Sequence, residues 1–349
     1  MLTLHLDPGL LAAPNFAQNS DEAELLIARI QEWSSRIAKN QITVTRSADS
    51  DDILSAANAY PAFVPIKDML DLFSIQHVYA ARDVSRMVNT IVDRSQIAID
   101  VLGSEISALS ICDLQPAVLE GLSPVDLLSG SQRAHATVAH LHGSPIFLSS
   151  ATCHPRAFQV RVVAEGKLST FVGGEKHEAD VKIDRAIFPL DCLEGAVGTI
   201  SADDLYRHAA SARDVHLAVA VRAAEISGAK LASLPGFSIG SEFLRTAVDA
   251  QAGPGGGFAA VALECCARIV IDDPKNELSA FKTREGDHKS RTSDSSLGYR
   301  SHITKSKAAL RLMLWKKGGK IEFANVGEKQ ELEIENGSAD GTYTTDYEA

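Results

Sequence analysis

The chain has few cysteines and no long apolar run, and both absences restrict its class. Its five cysteines among 349 residues are scattered, and none forms a C-x-x-C pair. This usage is typical of a reducing compartment, where thiols stay unlinked. No run of 18 apolar residues occurs, and the first residues lack the basic and apolar regions of a signal peptide. We therefore expect a cytoplasmic protein that does not enter a membrane.

Positive charge is also scarce, and it is concentrated in one segment. The chain has a formal net charge of −11. Between residues 282 and 320, however, eleven Lys and Arg residues accompany only three carboxylates, so this window carries +8 and the remaining chain −19. An acidic body with one basic segment predicts two parts with different partners. The basic part is expected to bind nucleic acid, with RNA favoured, or an acidic protein surface.

Length and composition predict a mixed α/β protein with more than one domain. Strands and helices alternate over the first hundred residues, strand-like runs dominate from residue 144, and one long helix is predicted after Ser201. We predict an α/β layer domain over 1–140, a β-rich segment followed by helices over 141–252, a basic α+β domain with a curved antiparallel sheet over 253–335, and a disordered acidic tail over 336–349.

A β-hairpin is predicted between residues 310 and 327. The runs "LRLMLW" and "KIEFANV" flank the pair Gly318-Gly319, which is a common hairpin signal. Alternation along the first run separates two faces, one with Leu310, Leu312 and Leu314 and the other with Arg311, Met313 and Trp315. Because burying an unpaired arginine is costly, we expect Arg311 to face a cleft or solvent beside Trp315.

This segment resembles the C-terminal half of RelE/ParE-type toxin domains. Those domains carry a Y-R-L strand, a turn, a β-branched strand and a closing V-G with basic residues. The counterparts here are Leu310-Arg311-Leu312 and Val326-Gly327, followed by Lys329. The resemblance covers roughly fifty of the 349 residues. It departs from the family pattern at Leu310, where the family has an aromatic residue, and the family's terminal catalytic tyrosine has no assigned counterpart.

The resemblance implies binding of RNA and metal-free cleavage by attack of a 2′-hydroxyl. That reaction needs a base, an acid and cations on the phosphate. Arg311 is predicted to stabilise the phosphate, and His302 or Lys305 to move the proton, with no cofactor. Further predicted nucleic-acid contacts are Arg284, Lys289, Arg291, Arg300, Lys307, Trp315, Lys316 and Lys317. Trp315 or Tyr299 is expected to stack on a base.

Two other functions stay open, so the sequence does not decide whether the chain is an enzyme. The first is a non-enzymatic subunit of a multi-protein defence or regulatory complex, because no specific catalytic motif is present. The second is a metal-dependent nuclease, because Asp7 ends the first strand as in PIN-type nucleases, which the N-terminus weakly resembles. Other carboxylates, from Asp51 to Asp100, could complete that site. The Asp-Pro-Gly turn alone also accounts for Asp7.

Three shorter patterns are compatible with a site but are common by chance. Residues 236–240 read G-x-S-x-G, as in a hydrolase nucleophile elbow, yet Pro235 argues against the strand that an elbow needs, so a turn is expected. A zinc site is conceivable among His135, His140, His142, Cys153 and His154. Arg133 and His140 have the R-x6-H spacing of HEPN ribonucleases.

Overall fold

The computed structural model describes residues 3–12, 17, 19–38, 42–119, 124–141, 146–149, 159–190, 193, 197, 200–283, 285–304, 309–329, 331, 333–337 and 343–344. The chain divides into two compact units, Leu2–Thr199 and Ile200–Ala349. The mixed α/β fold class is confirmed. The segment after residue 140 completes the N-terminal sheets, and helices before residue 252 pack on the C-terminal sheet.

The N-terminal unit contains seven helices and seven strands among its described residues. The helices are α1 (Pro8–Leu11), α2 (Ser20–Ala38), α3 (Ser50–Ala56), α4 (Phe63–Leu72), α5 (Ala81–Arg94), α6 (Ala98–Leu102) and α7 (Val125–His140). The strands are β1 (Thr3–Leu6), β2 (Thr43–Arg46), β3 (Gln96–Ile97), β4 (Ser104–Gln115), β5 (Ile146–Ser149), β6 (Val160–Val172) and β7 (Glu175–Ile187). Strands β3, β2, β1 and β5 form a parallel sheet in that order.

The other three strands of this unit form an antiparallel sheet in the order β4-β6-β7. Strand β6 runs without interruption over 13 residues, although it contains Gly166. In the structure Gly166 lies in mid-strand, opposite an irregularity in β4. A Cβ there would come within 2.1 Å of the Ala108 carbonyl oxygen, so glycine is required for close approach of the two strands.

The C-terminal unit is built around one six-stranded sheet. Its helices are α8 (Ala202–Arg207), α9 (Ala212–Ser227), α10 (Phe243–Asp249) and α11 (Ala259–Val270). Its strands are β8 (Phe237–Ile239), β9 (Ser279–Ala280), β10 (Leu297–His302), β11 (Arg311–Lys317), β12 (Lys320–Gly327) and β13 (Tyr343–Thr344). The order is β13-β8-β12-β11-β10-β9, with β9 to β12 antiparallel and β8 parallel to β12.

The predicted long helix after Ser201 is divided into α8 and α9. Ser201 caps α8 as expected. A second cap follows, in which Ser211 and Asp214 form a reciprocal capping box at the start of α9. Gly228, in the left-handed conformation, ends α9. The second cap satisfies backbone N–H groups that an uninterrupted helix would have bonded internally, so the chain turns between the two helices.

Both faces of the C-terminal sheet are covered. One face packs Phe323 of β12 against Phe237 and Phe243. On the other face, Met313 and Trp315 pack with Ala324, Phe281 and Ile334 in a separate cluster. The chain segment that carries Ile334 therefore forms part of the second layer.

Two predictions about this unit need correction. Ser238 lies in strand β8 beside β12 and not in the expected turn. The nucleophilic serine of a hydrolase elbow stands in a turn, so the G-x-S-x-G pattern does not have elbow geometry here. The tail was predicted to be disordered, but its described residues include β13, which pairs with β8. None of the described helices is long and apolar enough to cross a membrane.

Candidate functional site

The predicted catalytic residues that the structure describes lie on one face of the β10–β11 pair. His302 stands directly opposite Arg311, and Arg300 stands opposite Met313. Opposed residues and residues two apart along a strand share a face. Arg300 and Arg311, which we call the arginine pair, are therefore diagonal neighbours beside His302. Such neighbours have backbones about 7–8 Å apart, close enough for both guanidinium groups to contact one anion.

The arginine pair has no carboxylate partner among the described residues. Arg311 is half-buried, and its Nη1 donates to the Lys329 carbonyl oxygen at 2.9 Å. Its Nε is shielded from water and has no hydrogen-bond partner among the described residues. Burial lowers the pKa of Arg311, and the positive charge of Arg300 lowers that pKa further. Desolvation and like charge both make an anion favourable here.

Glu331 is a carboxylate close to the arginine pair, but it does not neutralise the pair. Its side-chain carbons cover Gly327, which stands opposite Arg311 on β12. Its Oε1 accepts the N–H of Glu333 at 3.1 Å instead of pairing with Arg311. The site therefore keeps a local excess of positive charge.

Trp315 cannot stack on a base, which corrects one prediction. The ring is 1% exposed, and its indole N–H donates to the Glu335 carbonyl oxygen at 2.7 Å. Alternation correctly placed Trp315 and Met313 on the face opposite the leucines, and Leu310, Leu312 and Leu314 are buried as predicted. Both faces are nevertheless covered at Trp315, so that face of β11 reaches the surface only at its two ends, near Arg311 and near Lys317.

Arg291 is held inside the C-terminal unit by carboxylates. Its Nε and Nη2 donate to the two oxygens of Asp294, and Nη1 donates to Glu322 Oε2 at 2.7 Å. The guanidinium also lies over the Trp315 ring, 5.3 Å from its centroid. Asp294 raises the pKa of Arg291, and Arg291 in turn lowers the pKa of Asp294. These contacts give Arg291 a structural role through its N–H edges.

The other predicted contacts are dispersed. Lys289 is exposed, and Lys316 lies half-buried with its ammonium 3.8 Å from Asp272. Lys317 donates to the Asp294 carbonyl oxygen. The Tyr299 ring packs edge-on against His288. Arg284, Lys305 and Lys307 lie outside the described residues.

A pocket of about 400 Å³ lies beside the β11–β12 turn, and sequence reasoning missed it. Its lining includes the predicted residues Arg291, Trp315 and Lys317, together with Ser238, Lys320 and Glu322. Lys320 was inside the basic window, and the hairpin register places it opposite Lys317. That pairing could have been predicted from the turn. The contribution of Ser238 could not, because it comes from a strand more than 80 residues away.

Asp7 is fully buried and serves the local structure. Its Oδ1 accepts the N–H of Gly9 at 2.8 Å, which caps α1, and also accepts the Ser131 hydroxyl of α7. On the same sheet face, His5 Nδ1 lies 3.1 Å from the Thr45 hydroxyl. Burial lowers the pKa of His5 to about 4, with a smaller contribution from the charge of His135.

The described residues do not support the metal sites that the sequence suggested. No three His, Cys, Asp or Glu side chains among them converge to hold a metal ion. Of the zinc candidates, His142, Cys153 and His154 lie outside the described residues. Arg133 of α7 pairs with Asp49, which stands at the N-terminal end of α3, so its guanidinium has a structural partner.

Comparison with known proteins identifies no relative of this chain. No family model matches the chain, and neither a curated protein nor a solved structure matches it.

Proposed function

We propose that the C-terminal unit binds RNA and that the arginine pair contacts its phosphodiester backbone. The observation that carries the proposal is the placement of Arg300 and Arg311 on one sheet face with no carboxylate partner among the described residues. Arginine matches phosphate geometry with two parallel N–H groups, and partial burial strengthens such charge-assisted bonds. A bound phosphate would also relieve the repulsion between the two guanidinium groups.

The neighbouring histidine extends the proposal to metal-free cleavage. With the phosphate on Arg311, His302 would take the proton of the 2′-hydroxyl while that oxygen bonds to phosphorus. The bond from phosphorus to the 5′-oxygen would break, and an acid would protonate the leaving oxygen. The products would be a 2′,3′-cyclic phosphate and a 5′-hydroxyl. Lys305, the other predicted proton carrier, lies outside the described residues.

Binding is tested with a short single-stranded RNA and the full-length protein. The variant Arg300→Ala/Arg311→Ala is compared with Lys230→Ala/Arg245→Ala, which removes the same charge from exposed positions of the same unit. The arginine-pair variant should lose at least about tenfold in affinity, the effect of about 1.4 kcal/mol, while the control stays close to wild type. Equal losses in the two variants would contradict a specific site.

Cleavage is tested separately from binding. RNA incubated with wild type should yield ends with cyclic phosphate, and His302→Ala should bind RNA but cleave it far more slowly. DNA of the same sequence should remain intact, because it lacks the attacking hydroxyl. Binding without cleavage would limit the function to RNA binding. If wild type binds no RNA but retains an acidic partner protein from its native host, the non-enzymatic alternative would be correct.

A further inference from the structure

The pocket beside the β11–β12 turn is a second feature of the C-terminal sheet that is suited to binding a ligand. Its volume of about 400 Å³ falls within the range of small-molecule sites. It lies at the end of β11 opposite to the arginine pair. The seven residues of β11 place the two sites about 20 Å apart along the strand. Alternation from Arg311 to Lys317 also places both sites on the same face.

Arg291 presents a restricted surface to this pocket. Its N–H edges are occupied by Asp294, Glu322 and the carbonyl oxygen of Asn336. The guanidinium carbon lies 5.3 Å from the centroid of the Trp315 ring, so the indole covers part of the group. Because Arg291 lines the pocket, the surface left for a ligand is the part of the guanidinium plane that these partners leave open. A planar cation with bonded edges favours a flat aromatic ring stacked upon it.

A second cation stands at the rim of the pocket. Lys320 is exposed, and its side chain forms no ion pair or hydrogen bond with a described residue. It follows Gly318 and Gly319, whose φ angles of 55° and 84° form the turn that only glycine adopts readily. Lys317, its partner across the hairpin, is held by the Asp294 carbonyl oxygen. Lys320 therefore offers its ammonium group to an anion.

We propose that this pocket takes one nucleotide of the bound RNA, with the base on the Arg291 plane and a phosphate on Lys320. This inference rests on the proposed function and adds a second contact to it. An extended single strand of several nucleotides would reach from the arginine pair to the pocket. The aromatic and anionic parts of a nucleotide match the two kinds of surface that the pocket provides.

The fluorescence of Trp315 gives a direct test. The chain has two tryptophans, so Trp33→Phe leaves Trp315 as the only one. In full-length protein, titration with AMP or UMP should change Trp315 emission, while inorganic phosphate at the same concentration should change it much less. Lys320→Ala should weaken nucleotide binding about tenfold. The control Lys230→Ala should stay within about twofold of wild type.

The outcomes separate the pocket from the proposed function. Mononucleotide binding that persists in Arg300→Ala/Arg311→Ala supports an independent pocket, even if RNA binding is lost. Nucleotide binding in a protein that binds no RNA would refute the RNA function and keep the pocket. RNA binding without any nucleotide response, or with Lys320→Ala equal to Lys230→Ala, would overturn the pocket alone. An equal response to phosphate and AMP would overturn the stacking. The comparison of RNA binding by Lys320→Ala and Lys230→Ala needs no tryptophan substitution, so it tests the pocket even if Trp33→Phe does not fold.

Discussion

Arg311 and Arg300 are diagonal neighbours on one sheet face, and the charge of Arg300 lowers the pKa of Arg311. Like charges this close, with partial burial, cost free energy in the unoccupied protein. Two arginines placed in this way add little to the stability of the fold, and a bound anion would remove the repulsion between them. We therefore expect Arg311 to act in binding and its buried neighbours to stabilise the core.

Substitutions at two adjacent residues of β11 should affect stability and RNA binding separately. Leu312 is fully buried, so Leu312→Ala should lower the free energy of unfolding by about 2–5 kcal/mol. Arg311→Ala should change it by less than about 1 kcal/mol, because the side chain has no ion-pair partner among the described residues. Urea unfolding of both variants measures the difference. A large loss of stability in Arg311→Ala with RNA binding intact would place Arg311 in a structural role.

A second arginine should behave in the opposite way. Arg291 is 8% exposed and joins Asp294 and Glu322. Arg291→Ala would leave the half-buried Glu322 carboxylate without this partner and should cost about 3 kcal/mol. Arg245→Ala is the matched control, since Arg245 also contacts two carboxylates but on the surface. Similar melting temperatures for the two variants would show that the Arg291 network is not a stabilising element.

The β11–β12 hairpin could be predicted because its signals are local. Two glycines form the turn, and alternation places the leucines correctly. The strand β8 could not be predicted, because three residues after Pro235 form a strand only by pairing with β12 far along the chain. The need for glycine at position 166 could not be predicted for a related reason, since it arises from the approach of β4.

The candidate site was predictable in part for the same physical reason. The opposition of His302 and Arg311 follows from antiparallel pairing, although the sequence could not fix the register. The burial of Trp315 depends on Phe281 and Ile334, which come from outside the hairpin, so alternation alone suggested exposure. Lys320 was visible as a cation, but its pocket is formed by residues from three separate segments.

His216 should make the C-terminal unit sensitive to acid. The ring is fully buried, lies stacked on Phe237 and bonds through Nε2 to the Phe237 carbonyl oxygen at 3.0 Å. Burial lowers the pKa of His216 from 6.5 to about 3, so the unfolded chain binds a proton that the folded chain excludes. Stability from this group is complete above pH 6.5 and should fall by up to about 1.4 kcal/mol per pH unit below it.

The variant His216→Gln isolates this contribution. Glutamine keeps an N–H donor for Phe237 but does not titrate, so the variant should lose stability less steeply between pH 6.5 and 4 than wild type. The difference between the two unfolding curves removes the effect of carboxylates, which titrate in both proteins. Parallel pH dependence of wild type and variant would mean that His216 accepts its proton within the fold.

Asp7 should prove structural. Because its carboxylate is buried and caps α1, Asp7→Ala should lower the stability of the N-terminal unit by about 1–3 kcal/mol. RNA binding and cleavage should persist in this variant when they are measured about 20 °C below its melting temperature, and EDTA should not change them. Loss of cleavage in folded Asp7→Ala, or on addition of EDTA, would favour the metal-dependent nuclease instead.

The salt dependence of RNA binding tests the central claim most directly. Each phosphate contact on a single strand contributes about 0.7 to the slope of log K against log salt, because binding releases counterions. Arg300→Ala/Arg311→Ala should therefore reduce the slope by about 1.4 relative to wild type, while Lys230→Ala/Arg245→Ala leaves it unchanged. A wild-type affinity that does not fall with salt, or an arginine-pair variant with the wild-type slope, would contradict phosphate binding at this site.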